Sequence, residues 1–422
     1  MKKITLPWSK SITNRDFVLA SLCDWVCEIS WYLESDDTKY MLDALKYLWI
    51  EINEKNSNLI IKWWINKILG NNKEIYLHQS GTCMRFLTGL SILNKNGYIF
   101  LTWDERLLER PMWDLLDWIK QMWIKIESNN DFPPIKIFPS KITSNKIKMN
   151  WTSSSQYFTA LLQVWAFIEW WLEIEVIWDL VSKPYIDLSI EELRKFWIKV
   201  ENLNYEKFII PNQKIINPNF LQIEWDASAL SYIANYVVLE NEKIEVTNIW
   251  NKSKQWDYKY LDILKKYFWL NLVLGENNTL LDLVKMDILD DWEYREIDFE
   301  EMPDVSMSFM SLAPLLYWKT KIIWLQTLNL KESNRIDAMW IELRKLWVNL
   351  EYDEKSITIN KWFNPWKIVN IETYNDHRIA MVFGILKIYL EKKYDTKINI
   401  LNPNCVSKTY PKFWEDLERI TK

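Results

Sequence analysis

Glycine is nearly missing from this chain. There are 6 in 422 residues, where a usage of about 7% would give roughly 30. That leaves few residues suited to the left-handed backbone that tight turns and helix ends use. Cysteine is scarce as well. Cys23, Cys27, Cys83 and Cys405 form no CxxC pair and no dense framework, which excludes a disulfide-built fold and points to a reducing compartment. Cys23 and Cys27 could share one helix face, though burial as apolar residues is the simpler reading. Histidine numbers only 2, and no His/Cys cluster is spaced to hold a metal. No charge-free apolar run is long enough to span a membrane. The first residues, MKKITLPWSKS, lack the apolar core of a signal peptide, so a cytoplasmic protein is expected. A net charge of −5 provides no broad basic field for nucleic acid.

Tryptophan is what the chain has in excess. There are 28, so Trp and Gly together make 34, a normal total for the pair. The excess of one offsets the deficit of the other. Five segments share one pattern: LDALKYLWIEI (42–52), LDWIKQMWIKI (116–126), IEELRKFWIKV (190–200), LDILKKYFWLNLVL (261–274) and IELRKLWVNL (341–350). Each reads as the end of an amphipathic helix, then Trp, then an alternating strand start. The Trp are Trp49, Trp123, Trp197, Trp269 and Trp347, spaced by 74, 74, 72 and 78 residues. The position just past a helix is usually Gly in left-handed conformation. A bulky L-residue there costs about 1–2 kcal/mol. The expectation is that many of these Trp are glycines in the living protein, encoded by UGA codons that were translated with the wrong code. Abundant Lys, Asn and Ile suit the AT-rich genome that this implies.

The hydrophobic fraction of 49% and charged fraction of 26% indicate large cores and argue against disorder. The length suggests two or three domains. A repeat of this period fits nearly six times, each unit holding strands and a helix, so the class is α/β or α+β. In the sixth unit the helix is expected near 377–392, without the marked Trp. Pro-Asn stretches at 211–219 and 402–404 read as turns.

Chemistry concentrates in short polar clusters. LPWSKSITNR (6–15) reads as an anion-binding turn entering a helix, with Arg15 on the face of Ser11. HQSGTCMR (78–85) is a second small polar turn, ending in Arg85. ERPM (109–112) carries Arg110, WTSSSQYF (151–158) a run of hydroxyls and an amide, and LVSKPYID (180–187) a further Ser-Lys. MPDVSM (302–307) places Asp304 after a proline. LKESNRIDAM (330–339) gathers Lys331, Glu332 and Arg335 at a helix start. There Lys331 and Arg335 would share a face, which is unfavourable unless an anion sits between them. TYNDHRIAM (373–381) holds Asp376, His377 and Arg378, and NCVSKTYPKF (404–413) holds Lys408. Taken singly, each also reads as a solvated loop or surface charge cluster.

In this order the clusters resemble the 5-enolpyruvylshikimate-3-phosphate synthase family from residue 6 to residue 413. Trp8, Trp103, Trp113, Trp151, Trp178, Trp225, Trp250 and Trp256 stand where the family pattern carries Gly. The resemblance implies a two-lobed inside-out α/β barrel built from six βαβαββ repeats, three per lobe. The first lobe would be 12–225 and the second 1–11 plus 226–422, closing over the ligands. It implies transfer of the enolpyruvyl group of phosphoenolpyruvate to the 5-hydroxyl of shikimate 3-phosphate through a tetrahedral adduct, with release of phosphate. Lys10, Ser11, Arg15, Ser154, Ser155, Gln156, Ser182, Tyr185, Asp304 and Lys331 would contact shikimate 3-phosphate. Lys10, Gly81, Arg110, Gln156, Arg335, His377, Arg378 and Lys408 would contact phosphoenolpyruvate. Asp304 would be the general base, with Glu332 and Lys10 handling protons at the methylene carbon and supporting the leaving group. No metal or organic cofactor, no nucleic acid and no membrane partner is implied, and a monomer is expected.

The chain departs from the family pattern at Gln79, where Asn is usual, at Asn334, where Asp is usual, and at Asn329, where Arg is usual. These changes bear on affinity more than on activity. The related UDP-N-acetylglucosamine enolpyruvyl transferases use a Cys-bearing loop before their RP motif, and ERLLERP has no Cys. RNA 3′-phosphate cyclase would want a nucleophilic His in a different context. An inactive binding relative would follow if every Trp were genuine.

Overall fold

The computed structural model of the chain describes every residue except 64–67, 71, 150–153, 169–170, 178–179, 181, 214, 250–252, 277, 285–293, 317 and 361–362. The chain folds as two compact units, Trp8–Glu224 and Met1–Pro7 with Trp225–Lys422. Both are mixed α/β.

Residues 8–224 hold three four-stranded sheets of one design. In the order of pairing, the first runs Phe220–Gln222, Trp25–Ser30, Asn58–Trp63, Glu51–Lys55. The second runs Glu74–Tyr76, Ile99–Thr102, Phe132–Ile137, Ile126–Asn129. The third runs Lys146–Met149, Leu172–Val176, Lys207–Ile210, Glu201–Leu203. In each, the first pairing is parallel and the next two antiparallel. The helices Lys10–Ala20, Asp36–Tyr47, Gly81–Leu90, Trp113–Gln121, Ser155–Trp165 and Lys183–Lys195 bury Phe17, Leu45, Phe86, Leu116, Phe158 and Leu193 in one core.

The other unit repeats the design twice. Lys2–Ile4 pairs with Ile244–Val246, then Thr279–Leu283 and Leu270–Leu274 follow; the second sheet runs Arg295–Asp298, Thr320–Ile323, Ile357–Ile359, Leu350–Tyr352. A two-stranded parallel sheet, Ile368–Ile371 with Lys397–Ile400, stands in the last position. The helix anticipated near 377–392 spans His377–Lys393. Among the described residues the sheets are six separate open ones, each running from one edge strand to another. No closed barrel of strands is therefore found among the described residues, because the short strands pair only within their own sheet. Cys23 and Cys27 do not share a helix either. The helix ends at Ala20, Cys27 lies in a strand, and both are buried.

The helix-to-strand joints repeat at the level of single hydrogen bonds. Trp49 N–H donates to Lys46 O, and Ile50 N–H to Leu45 O. The same pair of bonds recurs at Trp123 and Ile124, at Trp197 and Ile198, and at Trp347 and Val348. This is the Schellman arrangement, with Trp at the position that turns left-handed. The residue after each Trp and the helical residue whose carbonyl it bonds are both buried: Ile50 and Leu45, Ile124 and Ile119, Ile198 and Leu193, Val348 and Leu343. Trp49, Trp123, Trp197, Trp269 and Trp347 have φ of 70°, 67°, 62°, 55° and 62°. Trp25, Trp31 and Trp324 join them at 74°, 59° and 63°.

The Trp of the polar motifs behave differently. Trp8, Trp103, Trp113, Trp225 and Trp256 are not left-handed. A literal Trp in these turns should show as strained backbone or as crowded rings, and at Trp8 and Trp225 the left-handed form of strain is not found. Trp8 stacks on Trp31 with ring centroids 4.9 Å apart, and Trp225 is buried with its Nε1 unpartnered. Trp151, Trp178 and Trp250 lie outside the described residues.

The side chains of Trp49, Trp123 and Trp197 are 66%, 76% and 67% exposed, so they contribute little packing to set against their conformational cost. Replacing each with Gly should stabilise the chain by about 1 kcal/mol, from relief of the left-handed penalty. The triple variant should show a higher urea midpoint at unchanged slope. An equal or lower midpoint would show that these joints are not strained.

Candidate active site

Four helices of the unit 8–224 begin in the same way. Lys10–Ala20, Gly81–Leu90, Ser155–Trp165 and Lys183–Lys195 have Ser9, Ser80, Ser154 and Ser182 at the cap position, and none carries an acidic residue in its first turn. Serine satisfies or flanks the first N–H groups without adding charge. The positive ends of these helices therefore stay uncompensated and suit an anion. Ser9, Ser80 and Ser154 accept from backbone N–H groups. Ser182 instead adopts left-handed backbone, φ 55° and ψ 43°, and its side chain makes no capping bond, a local strain of about 1–3 kcal/mol.

The side chains around these starts are linked. Arg15 donates to Ser11 O at 2.7 Å, to Ser189 Oγ at 3.0 Å and to Tyr185 O at 3.5 Å. Burial pushes its pKa down to about 10, against Glu192, Tyr185 and Asp16 nearby. Lys10 lies 3.7 Å from Asp37 Oδ2. Arg85 donates to Gly81 O and to Gln156 Oε1, both at 3.0 Å, and Gln156 donates to Thr82 Oγ1 at 3.5 Å. Gly81 is needed because two guanidinia crowd it. A Cβ there would lie 2.7 Å from Arg85 Nη1 and 3.0 Å from Arg110 Nη1. Trp103 lies beside both, its ring centroid 5.8 Å from Arg85 Cζ and 6.0 Å from Arg110 Cζ.

In the unit 1–7 with 225–422 the cluster is ionic and centred on Arg335, whose side chain is 1% exposed. Its Nε and Nη2 grip Asp376 at 2.7 and 3.2 Å, Nη2 reaches Glu332 at 2.9 Å, and Nη1 reaches Asp304 at 3.1 Å. Asp376 also caps the helix His377–Lys393 through Arg378 N–H and accepts from Ser333 Oγ at 3.1 Å. Asp304 receives Arg378 Nη2 at 3.0 Å and Lys331 Nζ at 3.4 Å. Glu332 receives Lys408 Nζ at 2.8 Å. Burial pushes Asp304 toward protonation, but Arg378, Lys331 and Arg335 outweigh it and hold the carboxyl well below the usual range. Burial lowers Lys331 against the pull of Asp304. His377 is driven well below its ordinary pKa, chiefly by burial. Its Nδ1 lies 3.8 Å from Asp376 Oδ1 and makes no hydrogen bond.

The structure thus joins Asp304, Lys331, Glu332, Arg335, Arg378 and Lys408 by direct contacts. It joins Ser11, Arg15 and Tyr185 in one group, and Gly81, Arg110 and Gln156 in another, with Ser154 bonded to Gln156 N–H. Ser155 and Ser182 stand at helix starts. His377 is in the core beside the ionic cluster rather than bonded into it. One expectation needs correction: Lys331 and Arg335 do not share a helix. Asn334 caps the helix Arg335–Lys345, leaving Lys331 before it. The two cations still converge, because the Asp304 carboxylate lies between them. Arg85 and Asp376 take larger parts than their sequence suggested. Arg85 sits one helical turn after Gly81, and Asp376 immediately precedes an apolar helix, which is a cap signal.

Comparison with known proteins places these clusters in context. The family model for EPSP synthase (3-phosphoshikimate 1-carboxyvinyltransferase) matches residues 1–417. A 3-phosphoshikimate 1-carboxyvinyltransferase of Haemophilus influenzae (strain PittGG) is 35% identical over 428 residues, 99% of this chain and 96% of that protein. An EPSP synthase structure from Acinetobacter baumannii has the same fold, with TM-score 0.74 and 19% identity over 99% of this chain and 95% of its own. An enolpyruvyl transferase structure from Streptomyces tendae gives TM-score 0.77 at 13% identity, over 100% of this chain and 95% of that one.

Removing Asp376 leaves Arg335 buried without its bidentate partner and the helix at 377 uncapped. Loss of one member of a buried ion pair costs about 3–5 kcal/mol. Asp376→Ala should lower unfolding free energy by that order in urea titration. A loss below about 1 kcal/mol would mean that the pair behaves like an exposed one.

Proposed function

We propose how this site works from one premise: the chain belongs to the EPSP synthase family and transfers the enolpyruvyl group of phosphoenolpyruvate to shikimate 3-phosphate, on the route to chorismate and the aromatic amino acids. The single observation that carries the residue assignment is Asp304, a carboxylate ringed by three cations. Asp304 takes the proton of the 5-hydroxyl as that oxygen attacks C2 of phosphoenolpyruvate. Lys10 and Glu332 protonate and then deprotonate the methylene carbon, and phosphate leaves from the tetrahedral adduct. Lys331, with Ser11, Arg15, Ser154, Ser155, Gln156, Ser182 and Tyr185, holds shikimate 3-phosphate. Gly81, Arg110, Arg335, His377, Arg378 and Lys408 hold phosphoenolpyruvate, Lys10 and Gln156 contacting both.

The low pKa of Asp304 makes it a weak base while its three cations face it. Substrate phosphate and carboxylate groups compete for the N–H groups of Arg378 and Lys331. As the ligand anions offset the charge of those cations, the Asp304 pKa rises and the carboxylate becomes a stronger base when both substrates are in place. The uncharged Ser-capped helix starts and the Arg85–Arg110 pair support anion binding in the other unit. Five sheets of one strand order, with a two-stranded sixth, support the reading of six βαβαββ repeats, three to each lobe.

Asp304→Asn removes the base but keeps a hydrogen-bonding group of the same shape. Turnover should fall by about two to four orders of magnitude, while shikimate 3-phosphate still binds by calorimetry. Near-normal turnover would end the base assignment. Phosphate release driven by a UDP-sugar in place of shikimate 3-phosphate would move the chain to the related transferases.

A further inference from the structure

Behind Arg378 lies a carboxylate that the reaction scheme does not use. Asp257 sits in the turn Trp256–Lys259 and is buried. The Ser228 hydroxyl, in the first turn of the helix Ala227–Glu240, donates to Asp257 Oδ2. Arg378 Nη2 donates to Ser228 Oγ at 3.3 Å and to Asp304 Oδ2 at 3.0 Å, while Nη1 reaches the Tyr232 hydroxyl at 3.4 Å. The segment before the turn is braced onto the same helix start. Gln255 donates to Trp225 O at 2.6 Å and accepts from Ala227 N–H at 3.3 Å.

We infer that Asp257 is a positioning residue that, through Ser228, sets the direction in which Arg378 presents its guanidinium. With the Ser228 proton committed to Asp257, the hydroxyl oxygen turns its lone pairs to Arg378. One edge of the guanidinium is then fixed on Ser228 and Tyr232, and Asp304 meets it from a set side. A guanidinium held this way loses little freedom when it takes up an anion. The charged groups acting on Asp257 are Arg378, Asp304 and Asp226. Lys259 of its own turn points instead to the Trp256 ring and to Glu301. Burial raises the Asp257 carboxyl to about 6, against the pull of Arg378. The anchor is therefore ionised above that pH and protonated below it.

The inference rests on the proposed role of Arg378 in holding phosphoenolpyruvate, and the experiment separates the two. In steady-state assays from pH 5 to 8, the KM for phosphoenolpyruvate should rise several-fold below pH 6, with kcat less affected. Asp257→Asn should raise that KM about tenfold at pH 7.5 and flatten its pH dependence, and Ser228→Ala should do the same. Arg378→Ala should raise it further. An unchanged KM in Arg378→Ala would remove the reading of Arg378. A raised KM in Arg378→Ala, with Asp257→Asn and Ser228→Ala retaining the wild-type KM and its pH profile, would overturn the positioning role. Rescue of the profile by Asp257→Glu would separate a carboxylate's action from loss of packing.

A second, independent observation concerns the chain itself. The backbone assigns glycine to positions 25, 31, 49, 123, 197, 269, 324 and 347 in the protein as its own cells make it. All eight Trp have φ between 55° and 74°, where L-residues with bulky side chains are disfavoured. Four of them complete the same two-bond helix ending, whose left-handed position is usually Gly. Peptide mass spectrometry on protein purified from the source cells should find Gly at Trp49, Trp123, Trp197 and Trp347. Trp at those positions would overturn the assignment.

Discussion

Arg335 is the constraint on which the carboxy-terminal cluster depends. One guanidinium, almost wholly removed from water, meets Asp304, Glu332 and Asp376 at once. Burying that charge alone would cost many kcal/mol, so the three carboxylates must be in place for the segment to fold. Each carboxylate then collects a second cation or a helix start. Asp304 gathers Arg378 and Lys331, Glu332 gathers Lys408, and Asp376 caps the helix that carries Arg378. The cluster holds four cations and three carboxylates, a positive excess in a chain whose net charge is negative. That excess suits an anion, and the planar fork of Arg335 orders the carboxylates around it.

The amino-terminal unit reaches the same end by different means. Its four cations, Lys10, Arg15, Arg85 and Arg110, are spread over separate groups rather than gathered on shared carboxylates, and its helix starts supply part of the field. Where this unit has no reason to bind an anion, it neutralises the helix start. The helix Asp36–Tyr47 opens with two aspartates, and Trp113–Gln121 has Asp114 in its first turn. The four Ser-capped helices omit such residues. Stability alone favours an acid in the first turn, by roughly 0.3–1 kcal/mol. Its omission at four helices whose caps fall in the polar motifs is selective, and it fits ligands that bring their own negative charge.

What could be read from the sequence follows from the range of the interactions. The helix–Trp–strand joints were legible because their hydrogen bonds close within six residues, as from Ile50 to Leu45. Trp25, Trp31 and Trp324 were not, because Trp25 opens a strand and Trp31 and Trp324 follow strands, all outside the repeated segment and with no local signature. The departure at Asn334 is benign for a local reason too. It caps the helix Arg335–Lys345 and also bonds Asp337 Oδ2 at 2.6 Å, and Asn caps about as well as Asp. The convergence of Asp304, Arg335 and Asp376 spans 31 and 41 residues. Local pattern could place each of them on an element but could not bring them together. The shared helix face assigned to Lys331 and Arg335 failed at that step, since the contact is made through Asp304.

Trp103 shows where the two lines of argument meet. Its indole N–H donates to Ser80 O at 3.0 Å, and its ring lies against the guanidinia of Arg85 and Arg110. An aromatic face stabilises such cations modestly, but it is a poor substitute for an anion, whose full charge and fixed oxygens match the guanidinium fork. The backbone at Trp103 is not left-handed, so conformation alone does not require Gly there. Space does bear on it. At Gly81, one Cβ would already collide with both arginines, and an indole fills the volume beside them. If position 103 is glycine, the ring leaves, Ser80 O is freed, and two guanidinia and a Ser-capped helix start with no acidic residue face the space it vacates. The residue most at odds with an anion site in this unit is therefore one whose identity depends on how its codon is read.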